Sequence, residues 1–396
     1  MYLNKITHWK IKSQSATTKN FKVVEYLKYK SNLFKIKENE FSLLDYLLII
    51  VVIILMILGL LTLRSVVKDT SQQSRFIKQL VWDIVGIAAM IYIIFEKEAR
   101  IKAYAKYLYA ISVVLLVLVL IFGKTVYGAR RWIDIGAFDL QPSEIFKFAV
   151  VLMMATIFSQ YHKTKALILS VMTLLPAGLI FLEPDLGMTL LMAFIWFSML
   201  LASDVEKKYI LVIIVLGLVS IPFAFFFLLE DYQRVRILAL FNPEEHFQEG
   251  AYNVIMSRSV IANGGVYGTG YGLGTGTNMH IVPMQHTDFI FSAFAEQFGL
   301  IGSLILVGLY GIILLAGLLQ IGRYKDDFWE FVVIGVSSIF AFHVFENVGM
   351  NLGILPVTGI PLPFISYGGT STVVFSALIG LLIKARAVSK KARQVM

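Results

Sequence analysis

Ten stretches of predominantly apolar sequence, each long enough to cross a hydrocarbon core of about 30 Å as a helix, constrain this chain more than anything else. They lie near residues 43–63, 79–95, 103–122, 144–160, 166–181, 187–202, 209–229, 289–319, 329–350 and 372–386. Only 15% of the residues are charged, against roughly 25% in a soluble globular domain. The sequence therefore predicts an all-α polytopic membrane protein. The fifth and sixth spans are separated by Glu183-Pro184-Asp185, a turn-forming break in apolar sequence. There is no cysteine, which excludes disulfides, thiolate metal sites and a thiol nucleophile.

The net charge of +9 would suit nucleic acid only if the basic residues formed a soluble face. They lie between apolar runs instead, as a topology signal does. Nine Lys fall in the first 41 residues and five Lys or Arg after residue 383, whereas 123–143 and 231–288 hold three each. Both termini are therefore expected in the cytoplasm. Residues 1–41 form a basic tail without the apolar core of a signal peptide. They read either as an interfacial helix on the anionic inner leaflet or as a solvated topology tail. The membrane domain is 42–386, followed by a second basic tail, 387–396.

Two outer segments stand out. Residues 231–288 form a long extracellular loop between helices 7 and 8, far beyond the usual connection length. Residues 351–371, NLGILPVTGIPLPFISYGGTS, are too apolar for an open loop and too rich in Pro and Gly for a helix. Such backbone at membrane depth must be buried in protein or line a cavity, which predicts a re-entrant segment before helix 10. The glycines of IANGGVYGTGYGLGTG lack the strand and helix of a phosphate-binding loop and read as a flexible lid.

Ionisable residues near spans are costly and tend to be functional, and here they gather on the outer side. Arg130 and Arg131 precede Gln141-Pro142-Ser143-Glu144, and Lys147 follows one turn down the fourth span. Glu144 and Lys147 are either a plain intrahelical ion pair or a cavity-facing group able to meet phosphate. Arg234, Arg236 and Arg258 lie in the long loop, which closes on His286-Thr287-Asp288 at a helix start. That cluster reads as ordinary N-caps or as a catalytic group. Glu296 lies eight residues on, about 12 Å down the helix, where it needs a partner or a wet cavity. His343 and Glu346-Asn347 occupy the ninth span, without metal-site spacing.

GARRWIDIG, QPSEIFK, EPDLG, the long loop closing on HTDFIF with AEQFG, and NVGMNLGILPVTGIPLPFISYGGTS occur in order over about 43–386. Together they resemble the SEDS family (shape, elongation, division and sporulation), with GIPLPFISYGGTS closer to its RodA branch than to FtsW. The resemblance implies a peptidoglycan glycosyltransferase that polymerises lipid II at the outer face of the bacterial cytoplasmic membrane, serving elongation and rod shape. Asp288 matches the family's essential catalytic aspartate. Arg131, Glu144 and Lys147 match residues expected in the same cavity. Further expected substrate contacts are Arg130, Glu296, Arg234, Arg258 and His286. Class B penicillin-binding proteins, which are transpeptidases, and the elongation or division machinery are the implied partners; no nucleic acid is. No cofactor is evident beyond a divalent cation, Mg or Mn, able to bridge the lipid diphosphate. The chain departs from the family pattern at Gln297, His343 and Asp139, so no family role is carried to those positions. Three other readings stand beside this one: a lipid II flippase, a division-type glycosyltransferase and a scaffold that recruits a transpeptidase.

Overall fold

The computed structural model describes residues 42–394 apart from residues 69, 127, 128, 137, 243, 244, 246–250 and 325. The expected tail 1–41 and the end of the C-terminal tail lie outside those residues, as does part of the long loop. The apolar runs become helices. Helices α1 (Leu43–Val67), α2 (Ser74–Phe95) and α3 (Glu98–Phe122) come first. After a connection that carries short strands follow α4 (Pro142–Gln160), α5 (Lys163–Leu174) with α6 (Ala177–Leu182), α7 (Leu186–Leu201) and α8 (Lys207–Phe223), extended by a π turn over Ala224–Leu228. The long loop carries α9 (Asp231–Phe241), α10 (Tyr252–Gly264) and the single turn α11 (Thr275–Asn278). The chain finishes with α12 (Ile290–Leu318), α13 (Asp327–Asn351) and α14 (Gly369–Gln394).

Among the described residues nine helical segments are long and apolar enough to span, with α5 and α6 counting as one. The tenth, α7, is 16 residues, about 24 Å. The break expected before it is present. Asp185 caps α7, its Oδ1 accepting from the Met188 N–H at 3.1 Å. Short strands β1 (Lys124–Val126), β2 (Ala129–Asp134) and β3 (Asp139–Leu140) form an antiparallel sheet in that order. This sheet is an addition to the all-α expectation, and it places Arg130 and Arg131 on β2.

Burial sorts the helices. α4, α13 and α14 are the centre, with Phe146, Trp329, Phe340 and Phe375 fully enclosed. α8 has no buried residue, so its apolar surface is lipid-facing all round. The Pro/Gly segment before α14 is enclosed rather than open: Ile360, Leu362, Phe364 and Ile365 are at most 2% exposed.

One span differs from its expectation. Residues 289–319 read as one continuous helix, but α12 is interrupted at Gly299, with φ 68° and ψ −167°. That conformation is open to glycine and strained for other residues. The glycine-rich stretch of the long loop stitches the break. The N–H groups of Leu300 and Ile301 donate to the carbonyls of Gly265 (2.9 Å) and Val266 (3.2 Å). The N–H groups of Thr269 and Gly270 donate to the carbonyls of Glu296 (2.9 Å) and Gln297 (3.2 Å). These glycines are thus a packed backbone clamp, where the sequence suggested a flexible lid. They pack because a broken helix leaves amides and carbonyls that must be paired at this depth.

Candidate active site

The loop residue Asp288 sits where three segments converge: the end of the long loop, the C-terminal half of α13 and the Pro/Gly segment. A polar ladder on one face of α13 builds this junction. His343, Glu346, Asn347 and Asn351 follow the 3.6-residue period. Asn347 Nδ2 donates to the Asp288 carbonyl (2.9 Å) and to the Ile360 carbonyl (2.8 Å). Asn351 Nδ2 also donates to the Asp288 carbonyl, at 3.1 Å. Glu346 accepts from the Thr358 hydroxyl, and the His343 Nδ1–H donates to the Pro361 carbonyl at 3.0 Å. The Asp288 backbone is therefore fixed from the helix, and its carboxyl takes a hydrogen bond from the Thr287 side chain. A Cβ on Gly359 (φ +80°) would stand 3.6 Å from Asp288 Oδ2, so the glycine keeps the segment close to the carboxyl.

Burial pushes the Asp288 carboxyl up to about 6, against the pull of the Arg236 and Arg131 guanidinium groups. Arg131 reaches from β2 to the EPDLG turn. It donates through Nε to the Glu183 carbonyl (3.1 Å) and through a terminal nitrogen to the Pro184 carbonyl, with Asp185 Oδ2 3.7 Å from Nε. Glu183 is fully enclosed, and burial raises its carboxyl to about 8, the neutral side of pH 7. Arg236 on α9 donates to the Val357 carbonyl at 3.2 Å and stacks over Tyr232. Tyr232 in turn donates to the Pro184 carbonyl at 3.4 Å. Arg131, Pro184, Tyr232, Arg236 and Thr358 line a cleft of about 320 Å³. A second cleft, of about 370 Å³, continues past Arg236 to Arg258.

The structure thus brings Asp288, Arg131, Arg236 and, through the second cleft, Arg258 into one region. Other expected site residues stand apart. Lys147 and Glu144 form an ion pair of 2.6 Å with both side chains at most 1% exposed. Lys147 also donates to His343 Nε2 at 3.2 Å and lies over the Phe375 ring; neither cleft is lined by it. Glu296 is held by the long loop, accepting from Asn263 Nδ2 (2.7 Å), from the N–H groups of Gly276 and Thr277 (both 2.8 Å) and from the Thr277 hydroxyl (2.6 Å). Arg234 donates to the Phe226 carbonyl and pairs with Asp231. Arg130 is exposed and bonded to Thr125. His286 contacts Arg75, and burial with that cation lowers it to about 4, leaving it neutral. Among the described residues no three His, Asp or Glu side chains are grouped as a metal centre.

Sequence reasoning gave little weight to Arg236, named Asn347 without a role and did not single out Asn351. The available signal was the spacing of polar residues at 343, 346, 347 and 351 on an otherwise apolar helix.

A helical membrane protein with a desolvated carboxylate facing two arginines beside a cleft of mixed lining suits an anionic, lipid-borne substrate. The chain belongs to the SEDS family: the Cell cycle protein family of FtsW, RodA and SpoVE matches residues 41–391. It is 36% identical over 346 residues to the peptidoglycan glycosyltransferase MrdB of Escherichia coli K12, spanning 86% of this chain and 92% of that protein. With the peptidoglycan glycosyltransferase RodA of Treponema pallidum the identity is 30%, over 87% of this chain and 97% of the relative. Two solved structures share the fold. One is a peptidoglycan synthase complex that coordinates polymerization and crosslinking (TM-score 0.74, 28% identity, 87% of this chain and 98% of that one). The other is the rod shape determining protein RodA of Thermus thermophilus (TM-score 0.63, 28% identity, 86% and 95%).

Proposed function

We propose that this chain is a RodA-like peptidoglycan glycosyltransferase, polymerising lipid II at the outer face of the bacterial cytoplasmic membrane with both termini inside. The carrying observation is Asp288, a carboxyl raised to about 6 that faces Arg236 and Arg131 beside a cleft. At neutral pH it is mostly ionised yet basic enough to accept a proton, the balance a general base requires. A sugar hydroxyl of one lipid-linked disaccharide gives its proton to Asp288 as its oxygen bonds to the anomeric carbon of another. The bond from that carbon to the diphosphate breaks, and the electron pair leaves with the diphosphate oxygen. Arg131 and Arg236 stand where that charge grows, the electrostatic arrangement that lowers such barriers. The fit to Mg or Mn is that of an ion that takes phosphate and water oxygens with few carboxylates; such an ion would shield the diphosphate, and no residue role here depends on it.

Glu144 and Lys147 serve the site by holding its floor through His343 and Pro361, and Glu296 by holding the loop. Arg130, Arg234 and His286 act on the approach to the site rather than at its centre. A class B penicillin-binding protein is the partner we assign, by likeness to the synthase complex. A flippase reading is weaker, because Asp288, Arg131, Arg236 and the EPDLG turn gather at one end of the spans, whereas a transport path carries such groups across the midplane.

The test is reconstitution with pure lipid II, with and without a cognate penicillin-binding protein. Loss of glycan polymer on Asp288→Asn, with the protein folded, supports the assignment. Undiminished polymer from that variant overturns Asp288 as the base. Movement of lipid II across liposomes without polymer supports the flippase.

A further inference from the structure

The carbonyls of three successive residues at the base are held from two sides. Asn347 and Asn351 of α13 hold that of Asp288. On the other side the Ser366 hydroxyl donates to the Thr287 carbonyl at 2.7 Å, and the Tyr367 N–H to the His286 carbonyl at 3.0 Å. These two donors belong to the Pro/Gly segment, so neither partner in that pairing is a helix. Both partners also contain a strained turn. Met284 takes φ 53° and Phe364 φ 66°, a left-handed conformation that is costly for bulky side chains and persists where the surroundings over-determine it.

The bracing comes from α2. Its buried residues, Gln79, Asp83, Gly86, Met90 and Ile94, recur every three or four positions and make one face. Arg75 stands one turn before Gln79 on that face. Its guanidinium donates to His286 Nε2 and lies over the Tyr367 ring, 5.5 Å from the centroid. Gln79 accepts from the Gly368 N–H and donates to the Thr372 hydroxyl, both at 3.0 Å. Helix α2 thus grips both paired segments, one at His286 and the other at Tyr367 and Gly368. A guanidinium has no acceptor and stays protonated, so Nε2 must offer a lone pair and His286 must be neutral. Burial and the Arg75 charge hold His286 at about 4, which keeps the contact intact while Asp288 titrates near 6.

We propose that Arg75 is a positioning residue for the reaction: by joining His286 to Tyr367 it fixes the two strained turns against each other and so aims the Asp288 carboxyl. The proposal rests on the reading of Asp288 as the base of a glycosyltransferase. Arg75 lines neither cleft, so its loss should misplace the base and leave substrate affinity alone.

The test is polymerisation of lipid II by the full chain, with kcat and KM measured separately. Arg75→Leu is expected to lower kcat roughly tenfold to a hundredfold, as misplacement of a reacting group does. Its KM should stay within about twofold of the wild type, because the contacts to bound substrate remain. Arg75→Lys, which keeps the charge and a donor for Nε2, should recover most of kcat. In a His286→Leu background the Arg75→Leu penalty should shrink to about threefold or less, since the two residues act through one contact. A general loss of α2 packing would show neither the rescue nor that coupling. If Arg75→Leu does not fold, Arg75→Gln, shorter and uncharged, takes its place with the same expectations. Unchanged kcat, a raised KM with kcat intact, or a full penalty in the His286→Leu background each overturns the proposal. Failure of the glycosyltransferase reading looks different: no polymer from the wild type.

Discussion

Removing the charge of Arg236 should move the acid limb of the reaction upward in pH. Asp288 must be ionised to accept a proton, so activity rises with pH through its pKa of about 6. Burial sets that value high, and Arg236 is the first of the groups pulling it down. At an effective dielectric of about 20, a cation even about 8 Å from a carboxylate acts with roughly 2 kcal/mol, or about 1.5 pKa units. Arg236→Gln should therefore shift the midpoint from about 6 to between about 7 and 8. At pH 7 the ionised fraction would drop from about nine-tenths to about a quarter.

Titration is only part of the loss, since in the proposed mechanism Arg236 also faces the leaving diphosphate. Removing one such group from a charge-stabilising site costs on the order of a hundredfold in rate. The two effects separate by pH. The ionisation deficit vanishes by about pH 9, and what remains is the electrostatic deficit. The assay is initial-rate polymerisation of labelled lipid II from pH 5.5 to 9.5, read as kcat/KM, which reports groups on the free enzyme. Arg258→Gln is the control and should keep the wild-type midpoint. An unshifted or more acidic midpoint in Arg236→Gln would refute the coupling between that guanidinium and the base.

The same raised pKa has a stability consequence of opposite sign. Folding favours protonated Asp288, so its contribution is complete below the ordinary value of 3.8 and is lost as pH rises through about 6. Asp288→Asn should melt at a higher temperature than the wild type at pH 8, by the equivalent of roughly 2–3 kcal/mol, with the gap closing near pH 4; equal melting at pH 8 would contradict it. His343→Leu should cost about 2–3 kcal/mol, because it leaves one Lys147 donor and the Pro361 carbonyl without their buried partner while the Glu144 pair stays in place. His343→Gln can accept from one and donate to the other, and should cost much less by thermal melting in detergent. Gly299→Ala places a side chain at φ 68° with its Cβ 2.6 Å from the Val266 carbonyl oxygen. It should open the clamp and increase proteolysis within 265–280, and an unchanged digestion pattern would argue against the clamp.

The spans and the turn at Glu183-Pro184-Asp185 were legible because hydropathy and turn chemistry are local properties. Asp288 drew attention through its motif and its place at a helix start, and the structure sets it within reach of the Arg236 and Arg131 charges. The partners of Lys147 were not. Its spacing to Glu144 left ion pair and cavity equally open, and the deciding neighbour, His343, lies 196 residues away. Glu296 gave the same difficulty. Its donors at Asn263, Gly276 and Thr277 belong to a glycine-rich stretch whose sequence matches a mobile loop as well as a clamp. Only the break at Gly299 explains why that stretch must pack. An isolated glycine in a long apolar run is weak punctuation, since most such glycines are tolerated within helices.

What distinguishes the arginines that act on Asp288 from Lys147 is the charge of their partners. Lys147 is matched by a carboxylate at 2.6 Å and sealed, so its charge is spent inside the protein. Arg131 and Arg236 are oriented mainly by the neutral carbonyls of Glu183, Pro184 and Val357. A carbonyl fixes a guanidinium in place without cancelling it. The acid nearest Arg131 is Asp185, at 3.7 Å and shared with the cap of α7, and the adjoining Glu183 carboxyl, at about 8, is mostly protonated near neutral pH. Positive charge is therefore positioned in advance and left largely uncompensated beside Asp288. In the proposed mechanism a diphosphate that gains charge meets groups already oriented by neutral carbonyls, with only the long Arg131–Asp185 contact to exchange, and that saving is available only as the bond breaks.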